Sequence, residues 1–288
     1  MTSFGYYPGC SLSCGAVELD RSIRALAGVA GATLREIEDW NCCGASAAHN
    51  LNHDLAVALP YRVLALAEAQ GFHDVLAPCA ACFSRLKGTT VRLHRNPDLA
   101  RRMREATGRD YSHSVAILSP LEFVNRLLAD GLAERLTHPL KDLKVAAYYG
   151  CLLSRGEDIV VGDDAENPRG MEAGIRAAGC QSVPWAFATE CCGGGFSMSM
   201  TQAVLDLSAA ILAAAREAGA EAVVTSCPMC HSNLDLRQLS LRREQVGGDP
   251  MPVVYLSELM CLAAGAEAEA IGLDRHFVNA MALAGRNS

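Results

Sequence analysis

The cysteines of this chain follow one spacing rule that occurs twice. Each copy has a single cysteine after glycine, then an adjacent pair followed by glycine, then two cysteines separated by two residues. The members are Cys10, Cys42, Cys43, Cys79 and Cys82 in the first copy and Cys151, Cys191, Cys192, Cys227 and Cys230 in the second. Ten of the 13 cysteines obey this rule, with spacers of 31 and 35 residues and then 39 and 34. A random scatter of core thiols does not produce such a repeat, so the chain is predicted to fold as two related halves.

The segments around these cysteines repeat as well. Helical periodicity is visible over residues 16–29 and 47–69 of the first half and over residues 170–178 and 198–218 of the second. Buried-looking strands, DVLAP and EAVVTS, run directly into the two CxxC pairs. Strands that alternate with helices in this way are typical of α/β proteins with mainly parallel sheets.

The predicted fold class is therefore α/β, with two pseudo-symmetric domains that each hold a small, mainly parallel sheet flanked by helices. The polar, proline-containing segment Leu136–Lys144 is the predicted boundary. We expect an N-terminal domain over residues 1–140 and a C-terminal domain over residues 141–288.

The composition indicates which kind of partner and which cellular compartment to expect. The net charge of −7 and the absence of a basic stripe argue against nucleic-acid binding. The longest apolar runs, such as Ala209–Ala215, are shorter than the roughly 18 to 20 residues of a membrane span. The N-terminal residues lack the features of a secretory signal, so we expect a cytoplasmic location with no membrane span and with reduced thiols.

Three kinds of site compete for five thiols per half. A structural zinc ion takes four ligands, so five cysteines do not match it, and neighbouring side chains diverge too far to close on one small ion. Thiol–disulfide exchange at CxxC leaves the other three cysteines of each copy unexplained. An iron–sulfur cluster suits diverging neighbours, because adjacent thiolates can reach different irons. Both the CCG and the CxxC elements are expected to open helices, whose free N–H groups can donate to sulfur.

At these residues the sequence resembles the CCG-domain family, and within it the B subunit of heterodisulfide reductases. The segments that carry the resemblance are YYPGC, DWNCCGA, APCAAC, YYGC, ECCGGG and SCPMC, which span nearly the whole chain. The resemblance implies one non-cubane 4Fe-4S cluster per half, held by Cys10, Cys42, Cys43, Cys79 and Cys82 in the first and by Cys151, Cys191, Cys192, Cys227 and Cys230 in the second. It also implies two partners of the heterodisulfide reductase type, an iron–sulfur protein similar to the C subunit and a flavoprotein similar to the A subunit.

One departure bears on the branch of the family. Methanogen enzymes commonly have histidine after the first cysteine of the second half, where this chain has Leu152. Together with 22 arginines against 3 lysines, this favours the bacterial sulfur-oxidising branch, with a lipoate-binding protein as a candidate sulfur carrier. The expected function is the catalytic subunit that cleaves or forms a disulfide or persulfide. The alternative is an electron-transfer adaptor of a flavin- or quinone-linked oxidoreductase of the glycolate, lactate or succinate type, without a substrate site of its own.

Other residues are weaker candidates. His49, His53 and His231 lie near the cysteines and could move protons at neutral pH, although structural or surface roles explain them as well. Cys14 is expected to be a buried thiol, and Cys180 and Cys261 lie in apolar runs typical of a core.

Overall fold

A computed structural model describes residues 2–45, 47–156, 158–160 and 162–287 of the chain. The predicted α/β class is confirmed, because two four-stranded sheets, all parallel, are each flanked by helices. The strands of the first sheet all precede those of the second in the sequence. The exact division at residues 140 and 141 stays a prediction.

The first sheet has the strand order β2-β1-β3-β4. Its strands are β1 (Ser3–Tyr6), β2 (Thr33–Glu36), β3 (Asp74–Leu76) and β4 (Ala116–Leu118). The helices of this half are α1 (Val17–Ala30), α2 (Ala48–Leu51), α3 (Leu55–Ala69), α4 (Ala80–Arg95), α5 (Pro97–Thr107) and α6 (Pro120–Ala129). A π-helical turn at Ser11–Gly15 precedes α1, and a 3-10 turn at Leu132–Arg135 follows α6.

The second sheet repeats this topology with the order β6-β5-β7-β8. Its strands are β5 (Lys144–Tyr148), β6 (Gln181–Ser182), β7 (Ala222–Thr225) and β8 (Val253–Tyr255). The helices are α7 (Glu172–Ala177), α8 (Thr201–Glu217), α9 (Pro228–Leu236), α10 (Arg243–Val246) and α11 (Leu256–Ala263). Short 3-10 turns lie at Gly194–Phe196, Arg237–Ser240, Leu273–Arg275 and Met281–Asn287.

The central strands are buried, as expected of parallel sheets that are covered on both faces. All four residues of β7 are buried, and the last four of β5 are buried as well. The two halves share one core, in which α1 packs against α11. A hydrogen bond of 2.8 Å joins the hydroxyls of Ser22 and Ser257 across this contact. The two cysteine groups are therefore carried by sheets whose relative position is fixed by buried packing.

Candidate metal centres

In each half, the Gly-Cys and CxxC cysteines lie at the carboxyl ends of the central strands, and the adjacent pair follows the edge strand β2 or β6. β1 and β5 run into the Gly-Cys segments, and β3 and β7 run into the CxxC segments. Cys79 and Cys227 are the N-cap residues of α4 and α9, with extended backbones that turn the chain from strand to helix. Parallel strands collect their following loops at one sheet edge, which is why residues so far apart in sequence can meet there.

In the first half, the structure brings the five predicted cysteines together. The Sγ atoms of Cys43 and Cys82 are 3.4 Å apart. The thiol of Cys82 also interacts with that of Cys79, and the thiols of Cys10 and Cys42 form a hydrogen bond. All five are free thiols in the structure.

The second half repeats the arrangement. The Sγ atoms of Cys192 and Cys230 are again 3.4 Å apart. The thiol of Cys230 interacts with that of Cys227, and the thiol of Cys151 is hydrogen-bonded to that of Cys191. Two groups of five sulfur atoms therefore share one internal geometry.

The protonation of these thiols is uneven. The hydrogen bond with Cys82 lowers the pKa of Cys43 to about 7, and the hydrogen bond with Cys230 lowers the pKa of Cys192 to about 7. Their sulfur partners, Cys82 and Cys230, have raised pKa values because each stabilises a neighbouring thiolate. Burial raises the pKa of Cys151 to about 11. One cysteine of each adjacent pair thus ionises readily, and the thiolate is the form that binds metal.

The adjacent cysteines point to different surroundings, as the sequence predicted. Cys43 and Cys192 are buried against the CxxC sulfurs, whereas Cys42 is exposed and Cys191 is partly exposed. The backbone N–H groups of Gly44 and Gly193 donate to the Sγ atoms of Cys42 and Cys191, at 3.4 and 3.3 Å. Each half brings five thiols together, one more than the four ligands of a structural zinc site. The diverging neighbours and the backbone donors fit a polynuclear iron–sulfur group.

The expectation that the CCG elements open helices is wrong in detail. Gly44 and Gly193 have φ values of +73° and +76°, which turn the backbone out of the helical region. The next helix in the first half is the four-residue α2, and in the second half Gly193 caps only the 3-10 turn Gly194–Phe196 before α8 starts at Thr201. Only the CxxC segments lie at the start of long helices, so the donors next to the adjacent pairs come from the turn itself.

Tyrosines that the sequence analysis did not single out brace the CCG loops. The hydroxyl of Tyr7 donates to the carbonyl of Asn41 at 2.8 Å, and that of Tyr148 donates to the carbonyl of Glu190 at 2.6 Å. Each bond fixes the residue just before the adjacent cysteines. The Tyr-Tyr doublet before the first cysteine of each half is the sequence feature from which this bracing role could have been predicted.

The groups that contact the adjacent pairs differ between the halves. The amide of Asn233 donates to the Cys192 carbonyl at 3.0 Å and lies 3.7 Å from its Sγ atom. In the first half the positive charge of Arg85 helps to lower the pKa of Cys43, after the larger effect of Cys82. The two sites are therefore alike in sulfur geometry and unlike in their neighbours.

The weaker candidate residues differ in their burial. His49 and His53 are exposed, and the Nδ1 atom of His49 lies 3.1 Å from the guanidinium of Arg85. His231 is buried, and its ring stacks on Tyr255. The expectation of a buried Cys14 is wrong: it lies in the π-helical turn and is exposed, because this turn projects the side chain away from the core.

The two remaining cysteines, Cys180 and Cys261, are buried as predicted. A cavity of about 300 Å³ lies between the halves and is lined by Phe83, Leu121 and Leu153, among others. None of the described residues that line it is a cysteine.

Comparison with known proteins agrees with the doubled pattern. A family model described as "CCG: Cysteine-rich domain" matches residues 4–87 and 145–235. The "8-methylmenaquinol:fumarate reductase membrane anchor subunit" of Wolinella succinogenes is 32% identical over 280 residues, which cover 97% of this chain and 98% of that protein. The B subunit of the ferredoxin/F(420)H(2)-dependent CoB-CoM heterodisulfide reductase of Methanosarcina acetivorans is 30% identical over 77% of this chain and 75% of its own length.

A protein of Archaeoglobus profundus, named as similar to the B subunit of heterodisulfide reductase, is 24% identical over 94% of this chain and 93% of its own length. A solved structure, "Crystal structure of a hypothetical protein from Helicobacter pylori", superposes with a TM-score of 0.68 at 13% identity. It covers 96% of this chain, which spans about half (52%) of that structure, and it shows the fold alone. No helix within the described part of the chain is long and apolar enough to cross a membrane.

Proposed function

Because this chain belongs to the family of cysteine-rich CCG domains, we propose that it is the iron–sulfur electron-transfer subunit of a quinone-linked oxidoreductase complex. In this proposal each half binds one non-cubane 4Fe-4S cluster. The ligands are the two groups of five described above: Cys10, Cys42, Cys43, Cys79 and Cys82, and Cys151, Cys191, Cys192, Cys227 and Cys230. When bound, such clusters accept and release single electrons.

The observation that carries the proposal is that both sulfur groups reach the protein surface on one side and the buried core on the other. Cys10 and Cys42 are exposed, and Cys151 and Cys191 are partly exposed, whereas the CxxC cysteines are buried. Electron transfer weakens steeply with distance, so a redox partner must come close to the centre. The exposed cysteines allow that approach, and the buried ones hold the centre against the rigid sheet ends.

The chain's own residues prepare each site before a metal binds. Tyr7 and Tyr148 hold the loops ahead of the adjacent cysteines, and Gly44 and Gly193 supply backbone donors to sulfur. Hydrogen bonds to thiolate sulfur stabilise negative charge, so they favour the reduced state of a centre bound there.

The choice of a quinone-linked complex rests on similarity along nearly the whole chain. The relative named for 8-methylmenaquinol:fumarate reductase is 32% identical over 97% of this chain. The Archaeoglobus relative is 24% identical over 94%, and the methanogen heterodisulfide reductase relative is 30% identical over 77%. Leu152 also stands where the methanogen enzymes commonly have histidine. The location that goes with reduced, metal-binding thiols is the cytoplasm, which stays a prediction.

A second candidate is cleavage or formation of a disulfide or persulfide, including sulfur oxidation. The doubled site favours it, because reduction of a disulfide consumes two electrons and two protons, and two matched centres can supply the electrons. The two relatives named for the B subunit of heterodisulfide reductase support it as well. Partners similar to the C and A subunits of that enzyme, and a lipoate-binding protein, belong to this candidate.

Anaerobic purification followed by EPR-monitored redox titration tests both candidates. We expect about eight irons and matching acid-labile sulfide per chain. In the quinone-linked complex, electrons from a menaquinol analogue are expected to reduce the centres, while thiols and disulfides leave their spectra unchanged. A new cluster signal on addition of disulfide, without reduction by quinol, would move the assignment to the second candidate. Absence of iron and sulfide would remove both.

The surface beside the second site gives a further prediction. Phe196, Met198 and Met200 follow the second adjacent pair and are 49%, 101% and 54% exposed. Exposed apolar residues grouped in this way are typical of a contact surface, and we expect the protein that exchanges electrons with the second site to cover them. Met198→Glu is expected to weaken assembly of the complex at least tenfold without changing iron content, as measured by co-purification and metal analysis. Leu239→Glu, at a residue 64% exposed outside this segment, is the control.

A further inference from the structure

Two residues with buried hydroxyl groups lie side by side at the end of the second sheet. Thr225 ends β7 and Tyr255 ends β8, and the two residues are register partners. Both are 0% exposed. Among the described residues, neither the Oγ1 atom of Thr225 nor the hydroxyl of Tyr255 has a hydrogen-bond partner. A buried hydroxyl left unpaired costs about 1–3 kcal/mol, so the pair needs an explanation.

At the two corresponding positions, the first half has no such pair. Glu122 of α6 and Glu258 of α11 each accept from the backbone N–H three residues earlier, at Ser119 and at Tyr255. Ser119 is therefore the counterpart of Tyr255. Its hydroxyl is already used, because it accepts from the N–H of Glu122 at 3.1 Å. The counterpart of Thr225, two residues before the first CxxC cysteine, is alanine at position 77.

Both residues lie at the end of the sheet that carries the second sulfur group. Thr225 is two residues before Cys227. The ring of Tyr255 stacks on His231, which follows Cys230, with centroids 4.3 Å apart and planes 20° apart. Burial raises the pKa of Tyr255 well above its ordinary value, and the negative charges of Glu18 and Glu258, followed by those of Cys227 and Cys79, raise it further. The phenol therefore keeps its proton and remains a hydrogen-bond donor.

The ring of Tyr255 is held in place from several sides. His231 covers one face, and its Nε2 atom lies 3.0 Å from the carbonyl of Val253. The backbone N–H of Tyr255 donates to the carboxylate of Glu258 at 2.8 Å, which is also 2.9 Å from His276. A donor fixed in this way does not need to reorganise when the charge of a neighbouring group changes.

We propose that the Tyr255 hydroxyl donates a hydrogen bond to a sulfur atom of the centre bound at the second site and thereby raises its reduction potential. This inference rests on the proposed function, because it requires a cluster at that site. A donor to sulfur stabilises the more negative, reduced state. Tyr255 is a tuning residue: it leaves the ligand set unchanged and makes the two matched sites electronically unequal.

Tyr255→Phe tests the inference, because it removes one buried oxygen and keeps the ring. The variant is prepared in a Cys82→Ser background, so that the second centre is titrated alone. We expect a more negative midpoint potential, unchanged iron content at this site and an apoprotein at least as stable as the parent. Tyr61→Phe is the control: its hydroxyl, in the first half, donates to the carbonyl of Arg109. It should leave the potential unchanged.

A second variant covers the case in which Tyr255→Phe does not assemble. Fluorinated tyrosine at position 255 keeps the shape of the side chain and makes the phenol a stronger donor, so the potential should move in the positive direction. An unchanged potential in both variants, with iron and sulfide intact, would overturn the inference and leave the proposed function standing. Parent protein without iron or sulfide would instead overturn the proposed function.

Discussion

Replacing Cys82 with serine is expected to remove the cluster of the first half and to leave that of the second half in place. Cys82 is central to its group, because its sulfur lies 3.4 Å from that of Cys43 and also interacts with that of Cys79. Serine nearly preserves the volume but offers a hydroxyl, which is a poor iron ligand compared with a thiolate. Iron and acid-labile sulfide are expected to fall by about half, measured on anaerobically purified protein.

The second half offers a variant that corresponds to Cys82→Ser. Cys230→Ser removes the corresponding sulfur of the second group, which lies 3.4 Å from Cys192. It should cause the same loss of iron but abolish the other EPR signal. Cys14→Ser is the control, because Cys14 is exposed and belongs to neither group of five. Full iron content in both Cys82→Ser and Cys230→Ser would contradict the ligand assignment.

The fold could be predicted from the sequence because the repeat gives the same evidence twice. The strands that run into the CxxC pairs, and the helices that follow them, lie where the apolar patterns place them. The helix predicted over residues 47–69 is instead divided into α2 and α3, with Asn52 extended between them. The break comes from a local hydrogen-bonding pattern, which hydrophobic periodicity does not reveal. The side chain of Asn52 accepts from the N–H groups of Asp54 and Leu55, and a new helix starts there.

The candidate sites could be predicted as sets of cysteines, but their surroundings could not. Spacing identifies which thiols belong together, whereas the neighbours of each sulfur depend on packing. Arg85 and Asn233 each lie three residues after the last cysteine of their group, yet one is a cation and the other a neutral amide. Tyr255 cannot be recognised from the repeat either, because its counterpart is Ser119. The two residues share only their place before a helix and a backbone N–H bond to the glutamate three residues later. Differences between the halves are set by such contacts rather than by the repeated motif.

Gly9→Ala and Gly150→Ala are expected to prevent cluster assembly in the first and second half respectively. Both glycines have φ values of +62°, a conformation that costs an alanine about 1–2 kcal/mol. A Cβ atom at Gly9 would lie 2.9 Å from the Sγ atom of Cys82, and one at Gly150 would lie 2.9 Å from the Sγ atom of Cys230. The added methyl group must therefore displace a sulfur that the site needs. Iron content measured after anaerobic reconstitution should fall by about half in each single variant.

Backbone strain and sulfur displacement can be separated within the same chain. Gly71 and Gly219 also have positive φ values, +77° and +82°, but a Cβ atom at either position meets no heavy atom within 4 Å. Gly71→Ala and Gly219→Ala should therefore lower the free energy of unfolding of the apoprotein by about 1–2 kcal/mol while iron content stays full. If Gly9→Ala behaves like Gly71→Ala in both measurements, the close approach of Gly9 to Cys82 has no part in cluster assembly. If only Gly9→Ala and Gly150→Ala lose iron, glycine before the first cysteine of each half is required because it leaves room for the last sulfur of that half.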